Sequence, residues 1–274
     1  MRMQPVIFSA PKEHYRPAEW EDGGGWDTGQ GESTARFAVA DGATLGYDSR
    51  RWVRQLLDSF LAAGNPDMPP GPALDRDSLG GWLARMQECW SLSVTPAIDS
   101  IGLQKIREGT LATFVGCQLD GLDGRSARWQ AVAAGDAVLF HVRAGRLVSH
   151  LPPLSAADFG TTPGGLHTRP DRLDTDVPQL QFGSGDLLPG DLLFAATDAF
   201  AQWMLAWVDK DEAALWRSLA ALAHPADFDH LVSEQRTTKV KVGKHRVEAA
   251  MDDDITLLRV RLLPQAARRL VIWR

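Results

Sequence analysis

Apolar positions follow two different periods along the chain, and each period predicts one kind of element. Short, nearly continuous apolar runs bounded by Gly, Pro or Asp are typical of strands. Such runs predict strands at 5–10, 35–40, 110–119, 128–137, 138–150, 192–197 and 255–263, with a further candidate at 268–274. Three of these runs follow one another in the segment 110–150, which predicts a β-meander.

Other segments place apolar residues three and four positions apart, which is the spacing of one helix face. In the segment 49–63 this face consists of Trp52, Val53, Leu56, Leu57, Phe60 and Leu61. A loop with four prolines follows at 64–78, and the next helix face consists of Leu79, Trp82, Leu83, Met86 and Trp90. Two more helices are predicted over 199–207 and 211–223.

Strands and helices occur in blocks and do not alternate strictly. This order predicts an α+β fold, in which antiparallel sheet is covered by helices. The chain has 274 residues, 44% of them hydrophobic, which is enough for a large core in one domain or at most two. Residues 151–185 are rich in Pro, Gly, Asp and Thr and have no regular period, so we expect a mostly irregular flap there.

Composition and charge argue against several classes of function. The formal net charge is −6 without a block of basic residues, which disfavours a nucleic-acid-binding surface. The apolar stretch near the N-terminus is too short for a signal peptide, and no run is long enough for a membrane span. Cys89 and Cys117 lie in apolar periodic segments, which predicts buried free thiols and a reducing cytoplasm.

Four aspartates stand at the ends of strong apolar runs, or just before one: Asp41, Asp136, Asp198 and Asp253. Each of them alone is explained by a turn, because Asp bonds its own backbone at strand ends. If they converge, two carboxylates about 5 Å apart repel by roughly 3 kcal/mol at an effective dielectric near 20. Protonation or a bound cation relieves such repulsion. Hard divalent ions such as Mg²⁺ and Mn²⁺ prefer oxygen ligands, so convergence predicts a metal site.

Several stretches, in this order, resemble the motifs of the metal-dependent protein serine/threonine phosphatases of type 2C, the PPM family. They are WEDGGGW (20–26), FAVADGATLG (37–46), GTLATFVG (109–116), AVAAGDAVLFHV (131–142), LLPGDLLFAATDAF (187–200) and DDDITLL (252–258). The resemblance spans nearly the whole chain. It implies a single domain over 1–274 with two packed antiparallel sheets, helices outside them and a variable flap at 151–185.

The resemblance also implies a set of metal ligands by position. Asp41 would bridge two divalent ions, Mn²⁺ or Mg²⁺, and the Gly42 carbonyl would bind one of them. Asp198 and Asp253 would bind the other ion, and Asp22 would act on the first through water. Asp136 together with Asp198 would form a weaker third site.

Two further residues receive roles from the resemblance. Glu21 would hold a metal-bound water, and Arg16 is the candidate for gripping the substrate phosphate. The implied reaction is hydrolysis of phosphoserine or phosphothreonine in proteins by a water that bridges the metals. The implied partner is a phosphoprotein in the cytoplasm, modified by an opposing serine/threonine kinase, with no nucleic acid and no membrane involved.

Some positions depart from the family pattern. Ala43 stands where relatives often have a proton-donating His, and Gln202 stands where many have an acid for the third metal. These departures leave a second hypothesis open, a catalytically weak or inactive phosphoprotein-binding regulator on the same fold. A third, a nuclease-like metal hydrolase, is disfavoured by the acidic charge balance.

Overall fold

The computed structural model describes residues 1–12, 20–28, 33–43, 46–62, 71–93, 100–124, 126–160, 164–236, 239–242, 246–249 and 253–264. The strands are β1 Arg2–Ala10, β2 Gly23–Asp27, β3 Thr34–Gly42, β4 Leu111–Asp120, β5 Ala127–Ala134, β6 Val138–Arg143, β7 Arg146–Leu151, β8 Leu166–His167, β9 Gln181–Leu187, β10 Leu192–Ala196, β11 Lys239–Val242, β12 Arg246–Ala249 and β13 Ile255–Leu263. The helices are α1 Ser49–Leu61, α2 Arg76–Ser93, α3 Ser100–Glu108, α4 Leu173–Gln179, α5 Asp198–Ala221 and α6 Pro225–Arg236, with a short 3₁₀ turn at Pro170–Arg172.

Two antiparallel sheets form the centre of the fold. The first has the strand order β1-β13-β10-β6-β7, and the second has the order β2-β3-β4-β5-β9, with β8 added beside β4. Strands β11 and β12 form a separate hairpin. The predicted α+β class with two antiparallel sheets and flanking helices is confirmed.

Three apolar clusters lie in successive layers of this sandwich. Between the sheets, β3 and β4 contribute Phe37 and Val115, which face β10 and β13 of the other sheet. A second cluster lies between the first sheet and helices α5 and α6, and a third between the second sheet and helices α1 and α2. Strand β3 is buried on both faces, which explains its continuous apolar run.

The three consecutive glycines of β2 allow helix α1 to approach this strand closely. A Cβ atom at Gly23 would lie 2.7 Å from the Leu57 side chain, and one at Gly25 would lie 3.0 Å from Leu61. Glycine therefore suits this strand because the helix occupies the space that side chains would need. The sequence pattern did not predict β2, since glycine is depleted in strands.

One expectation about the chain path is wrong. The segment 110–150 is not one meander, because β5 belongs to the second sheet and β6 to the first, so the chain crosses between the sheets at 135–137. The segment 151–185, expected to be mostly irregular, also contains β8, α4 and much of β9. Its apolar residues were too few to give a periodic signal, and Leu166 and Leu180 are nevertheless buried.

The two cysteines differ in their exposure to solvent. Both thiols are free, but only Cys117 is buried, while Cys89 is exposed on α2, contrary to expectation.

The predicted strand at 268–274 lies outside the described residues. Within the ranges given above, no helix is both long and apolar enough to cross a lipid bilayer.

One buried and one partly exposed phenylalanine allow a matched test of the core packing. Phe194 is fully buried and stacks on Trp216 with 5.6 Å between ring centroids, whereas Phe182 on β9 is 37% exposed. We expect Phe194→Ala to lower the free energy of unfolding by about 3–5 kcal/mol, because it removes buried area and leaves a cavity. Phe182→Ala should cost far less. Urea denaturation of both variants measures the difference, and equal losses would contradict this packing.

Candidate active site

Strand ends from both sheets meet at one edge of the sandwich. In the first sheet, Ala196 pairs with Leu257 and Val138 at this edge. In the second sheet, Asp41 near the end of β3 lies opposite Thr113. The short link from β5 to β6 joins the two sheets there. The acids at these strand ends are therefore brought to one place by the antiparallel pairing itself.

Asp22 and Asp41 occupy the centre of this edge. Asp22 is buried, and the Thr197 hydroxyl donates a hydrogen bond of 2.8 Å to its Oδ2. Burial raises the pKa of Asp22 to about 7, helped by the charges of Asp198 and Asp254 and opposed by hydrogen bonds from Asp41 and Thr197. Two adjacent carboxyl groups that share a hydrogen bond cannot both be charged at low cost.

Asp41 is buried next to Asp22, in the same acidic surroundings. Burial raises its pKa well above the ordinary value, and the negative charges of Asp22, Asp198 and Asp253 raise it further. These electrostatic contacts link acids from four separate parts of the chain. Asp198 and Asp253 are therefore close enough to Asp41 for their charges to act on it.

Asp136 and Asp198 extend the cluster. Burial raises the pKa of Asp136 to about 7, with a further contribution from the charge of Asp198. Burial also raises the pKa of Asp198 to about 6, together with the charge of Asp253. The Ala199 N–H, 2.5 Å from Asp198 Oδ1, and the charge of Lys12 both oppose this rise. Asp198 begins α5, where a helix N-terminus favours negative charge.

The two acids before β13 have different surroundings. Asp253 forms an ion pair with Lys12, with 2.5 Å between Nζ and Oδ1, and its side chain is 40% exposed. Asp254 is buried and accepts backbone hydrogen bonds from Lys12 (2.9 Å) and Glu21 (3.0 Å). Burial opposes protonation of Lys12, but its hydrogen bond to Asp253 and the nearby acids raise its pKa overall.

Lys12 and Asp254 were both missed by sequence reasoning. Lys12 follows a strand and a proline, which is an ordinary place for a solvated cation, so nothing in the local pattern separates it from others. Asp254 was visible as one of three consecutive acids, yet only the structure distinguishes its buried backbone contacts from the exposed side chain of Asp253.

Glu21 and Gly42 are held against the start of α1. The Ser49 hydroxyl donates a hydrogen bond of 2.5 Å to Glu21 Oε1. A Cβ atom at Gly42 would lie 2.8 Å from the Ser49 Cβ and 3.2 Å from the Glu21 carbonyl oxygen, so only glycine fits there. Arg16, the predicted phosphate-binding residue, lies outside the described residues.

Gln202 does not face the acids. Its Nε2 donates a hydrogen bond of 3.0 Å to the Ala156 carbonyl, which ties α5 to the loop after β7. The departure at this position therefore has a structural explanation, and the side chain supplies no charge beside Asp136 and Asp198.

Oxygen atoms in the cluster have unused bonding capacity. Asp22 Oδ1, Asp136 Oδ1 and Thr113 Oγ1 are buried and have no hydrogen-bond partner. Oxygen ligands of this kind suit Mg²⁺ or Mn²⁺, so the residues present fit a divalent ion. Among the described residues, however, no three acids, histidines or cysteines are already arranged around one point as metal ligands. The oxygens must turn toward an ion in order to bind it.

Solved structures resemble this chain, whereas comparison of its sequence with known families and curated proteins finds no match. No family model matches the chain, and no curated protein matches it significantly. A point-mutated bacterial serine phosphatase superposes with a TM-score of 0.61 at 11% identity, covering 97% of this chain and 100% of that one. The photosystem II phosphatase PBCP gives 0.56 at 16% identity, with coverages of 95% and 98%.

A third structure is the catalytic domain of the serine threonine protein phosphatase PstP in complex with two manganese ions. It gives a TM-score of 0.56 at 15% identity, covering 96% of this chain and 99% of that one. Identities this low establish the fold and not the activity. The chain has the two-sheet fold of the type 2C, or PPM, phosphatases in a divergent form.

Proposed function

We propose that this protein is a divalent-metal-dependent phosphatase that hydrolyses phosphoserine or phosphothreonine in proteins. The observation that carries the proposal is the burial of several carboxyl groups at one edge of the sandwich, with the pKa values of Asp22 and Asp136 raised to about 7. Such a cluster destabilises a metal-free fold at neutral pH, and a bound cation removes this cost.

The proposed ligands for two ions are Asp41, the Gly42 carbonyl, Asp22, Asp198 and Asp253. Asp136 with Asp198 is proposed to hold a weaker third ion. Manganese or magnesium ions bound there would neutralise the substrate phosphate and lower the pKa of a bound water. The PstP structure, which contains two manganese ions, supports a choice of this metal class.

Other side chains of the site position these groups. Ser49 fixes one oxygen of Glu21, and this leaves the other oxygen to hold and orient the attacking water. Asp254 accepts the backbone N–H groups of Lys12 and Glu21, which keeps the two segments next to each other. Thr197 fixes Asp22. Arg16 remains the proposed contact to the phosphate.

We further propose a cytoplasmic phosphoprotein substrate and an opposing serine/threonine kinase. The structural neighbours described above are phosphatases, which supports this class of substrate. A second candidate is a phosphoprotein-binding regulator without activity. The Lys12–Asp253 ion pair favours it, because an ammonium group already satisfies one of the proposed ligands. The metal-dependence experiment separates the two candidates.

The purified protein should hydrolyse an aryl phosphate in the presence of Mn²⁺ or Mg²⁺ and lose this activity on chelation. The physical reason is that a divalent ion brings more positive charge to the phosphate than a single ammonium or guanidinium group does. Product absorbance measures the rate, and added metal should restore it after chelation. Undiminished hydrolysis after exhaustive chelation would overturn the metal mechanism. Absence of hydrolysis with every metal would favour the regulator.

Replacement of Asp41 by Asn keeps the shape of the side chain and removes one buried acid. We expect metal-free Asp41→Asn to melt at least as high as the metal-free wild type, because repulsion is relieved. Mn²⁺ should raise the melting temperature of the wild type and should raise that of the variant much less. Hydrolysis should fall by orders of magnitude.

The matched control for this experiment is Asp186→Asn, since the Asp186 side chain is 82% exposed. It should show the wild-type response to Mn²⁺. If Asp41→Asn and Asp186→Asn respond equally to the metal, Asp41 does not belong to the site.

The pH dependence of stability should reveal the raised pKa values. Folded Asp136, with a pKa of about 7, keeps its proton at pH values where the unfolded side chain, at 3.8, has lost it. Folding therefore binds protons between about pH 4 and pH 7, and metal-free stability falls as the pH rises through this window. Asp136→Asn removes its share of this loss.

Thermal melts in chelator at about pH 5 and about pH 8 measure this effect. The melting temperature of Asp136→Asn relative to wild type should increase from the lower to the higher pH. A constant difference between the two proteins would show that Asp136 titrates normally.

A further inference from the structure

Helices α1 and α2 enclose a groove that the proposed catalytic chemistry does not use. Its cavity volume is about 790 Å³, and its lining includes Arg50, Arg51 and Arg54 from α1 together with Met86 and Cys89 from α2. All three arginines are exposed. The floor is fixed, because Gln55 Nε2 on α1 donates a hydrogen bond of 2.6 Å to the Met86 carbonyl on α2.

One end of this groove adjoins the candidate active site. Ser49, whose hydroxyl binds Glu21, is the first residue of α1 and directly precedes Arg50. The close approach of Gly42 to Ser49 places the start of α1 against the end of β3. A chain segment that leaves the site along α1 therefore meets the three arginines in succession.

The fold itself gives little reason for this charge. The first turn of α1 contains no acidic residue, and cations near a helix N-terminus oppose the helix dipole. Arg51 packs over Trp90, with 5.8 Å from its guanidinium carbon to the ring centroid. Within the part of the chain that the structure describes, the side chains of Arg50 and Arg54 have no ion-pair or hydrogen-bond partner.

We propose that this groove binds an acidic segment of the phosphoprotein substrate, next to the phosphorylated residue. The proposal rests on the proposed function and adds a substrate preference to it. Charge complementarity identifies the occupant: the arginines form a local positive surface on a protein with a net charge of −6. Acidic side chains would pair with Arg50 and Arg54, while Met86 would receive an apolar neighbour.

A nucleic acid suits this groove less well. Asp48 and Asp58 also line it, so its charge is mixed, whereas binding to a phosphate backbone requires a larger block of cations. The same two acids make it possible to test the direction in which charge affects peptide binding. Removal of the charge of Asp58 should strengthen the binding of an acidic peptide, and removal of arginine charge should weaken it.

Two fluorescein-labelled phosphothreonine peptides test the proposal. One carries Asp and Glu on both sides of the phosphothreonine, and the other carries Asn and Gln at the same positions. Fluorescence anisotropy with the full chain in chelator measures both dissociation constants without hydrolysis. We expect the acidic peptide to bind about 10-fold more tightly to the wild type, as expected for a few partly exposed charge pairs.

The ratio of the two dissociation constants should fall to near one in the Arg50→Ala/Arg54→Ala variant and rise in Asp58→Asn. Arg128→Ala is the matched control, because Arg128 is an exposed arginine on β5 and lies outside the groove. It should keep the wild-type ratio. Circular dichroism verifies that each variant is folded, and Arg54→Gln provides a milder substitution with the same expected direction.

A wild-type ratio near one, or an unchanged ratio in the double variant, would overturn the proposal. Tighter binding of an RNA oligonucleotide through the same arginines would overturn the choice of a protein segment. Aryl phosphate hydrolysis, measured in parallel with Mn²⁺, tests the proposed function by itself. Hydrolysis with a ratio near one refutes only the groove, and an arginine-dependent ratio without hydrolysis refutes only the phosphatase activity.

Discussion

The cost of burying carboxyl groups next to one another is the constraint on which the rest of this structure depends. Antiparallel pairing brings Asp22, Asp41, Asp136 and Asp198 to one edge of two packed sheets, where burial raises the pKa of each. Each shift represents free energy that the metal-free fold loses at neutral pH. The apolar layers on both sides of the sheets must offset this cost. A cation at the edge would turn the same residues into a source of stability.

Hydrogen bonds to the backbone hold the acidic edge in place. The Thr256 N–H donates to the Thr197 hydroxyl, which in turn donates to Asp22, so β13 and the end of β10 are connected to the segment before β2. Asp254 connects the end of β1 to Glu21 in the same way. These links cross from one sheet to the other. Side chains outside the proposed ligand set therefore connect the segments that carry it.

Much of the architecture could be predicted from periodicity. The two helices with strong apolar faces follow from local patterns, because core-facing residues repeat regularly. The same holds for the strands next to which Asp41, Asp198 and Asp253 stand. The crossing between the sheets at 135–137 could not be predicted, because a tight turn within a sheet and a crossing between sheets have similar sequences. Strand β2 was missed because its three glycines allow helix α1 to pack closely against it. No local sequence pattern encodes this packing.

The candidate site could be predicted from the sequence only in part. Acids at strand ends were visible in the sequence, and their roles came from resemblance to a family. The Lys12–Asp253 pair joins residues from opposite ends of the chain, so only tertiary structure reveals it. The same pair bears on function, because a divalent ion at Asp253 must compete with an ammonium group that is already in place.

Proton release on metal binding tests the central claim most directly. Calorimetric titration of Mn²⁺ into the metal-free protein, repeated in buffers of different ionisation enthalpy, gives the number of protons released. Since the pKa values of Asp22 and Asp136 are about 7 and that of Asp198 is about 6, binding at about pH 6 should release at least one proton, and the contribution of these three groups should become small at about pH 8.5. Binding without proton release at the lower pH, or no binding at either pH, would contradict a buried carboxylate metal site.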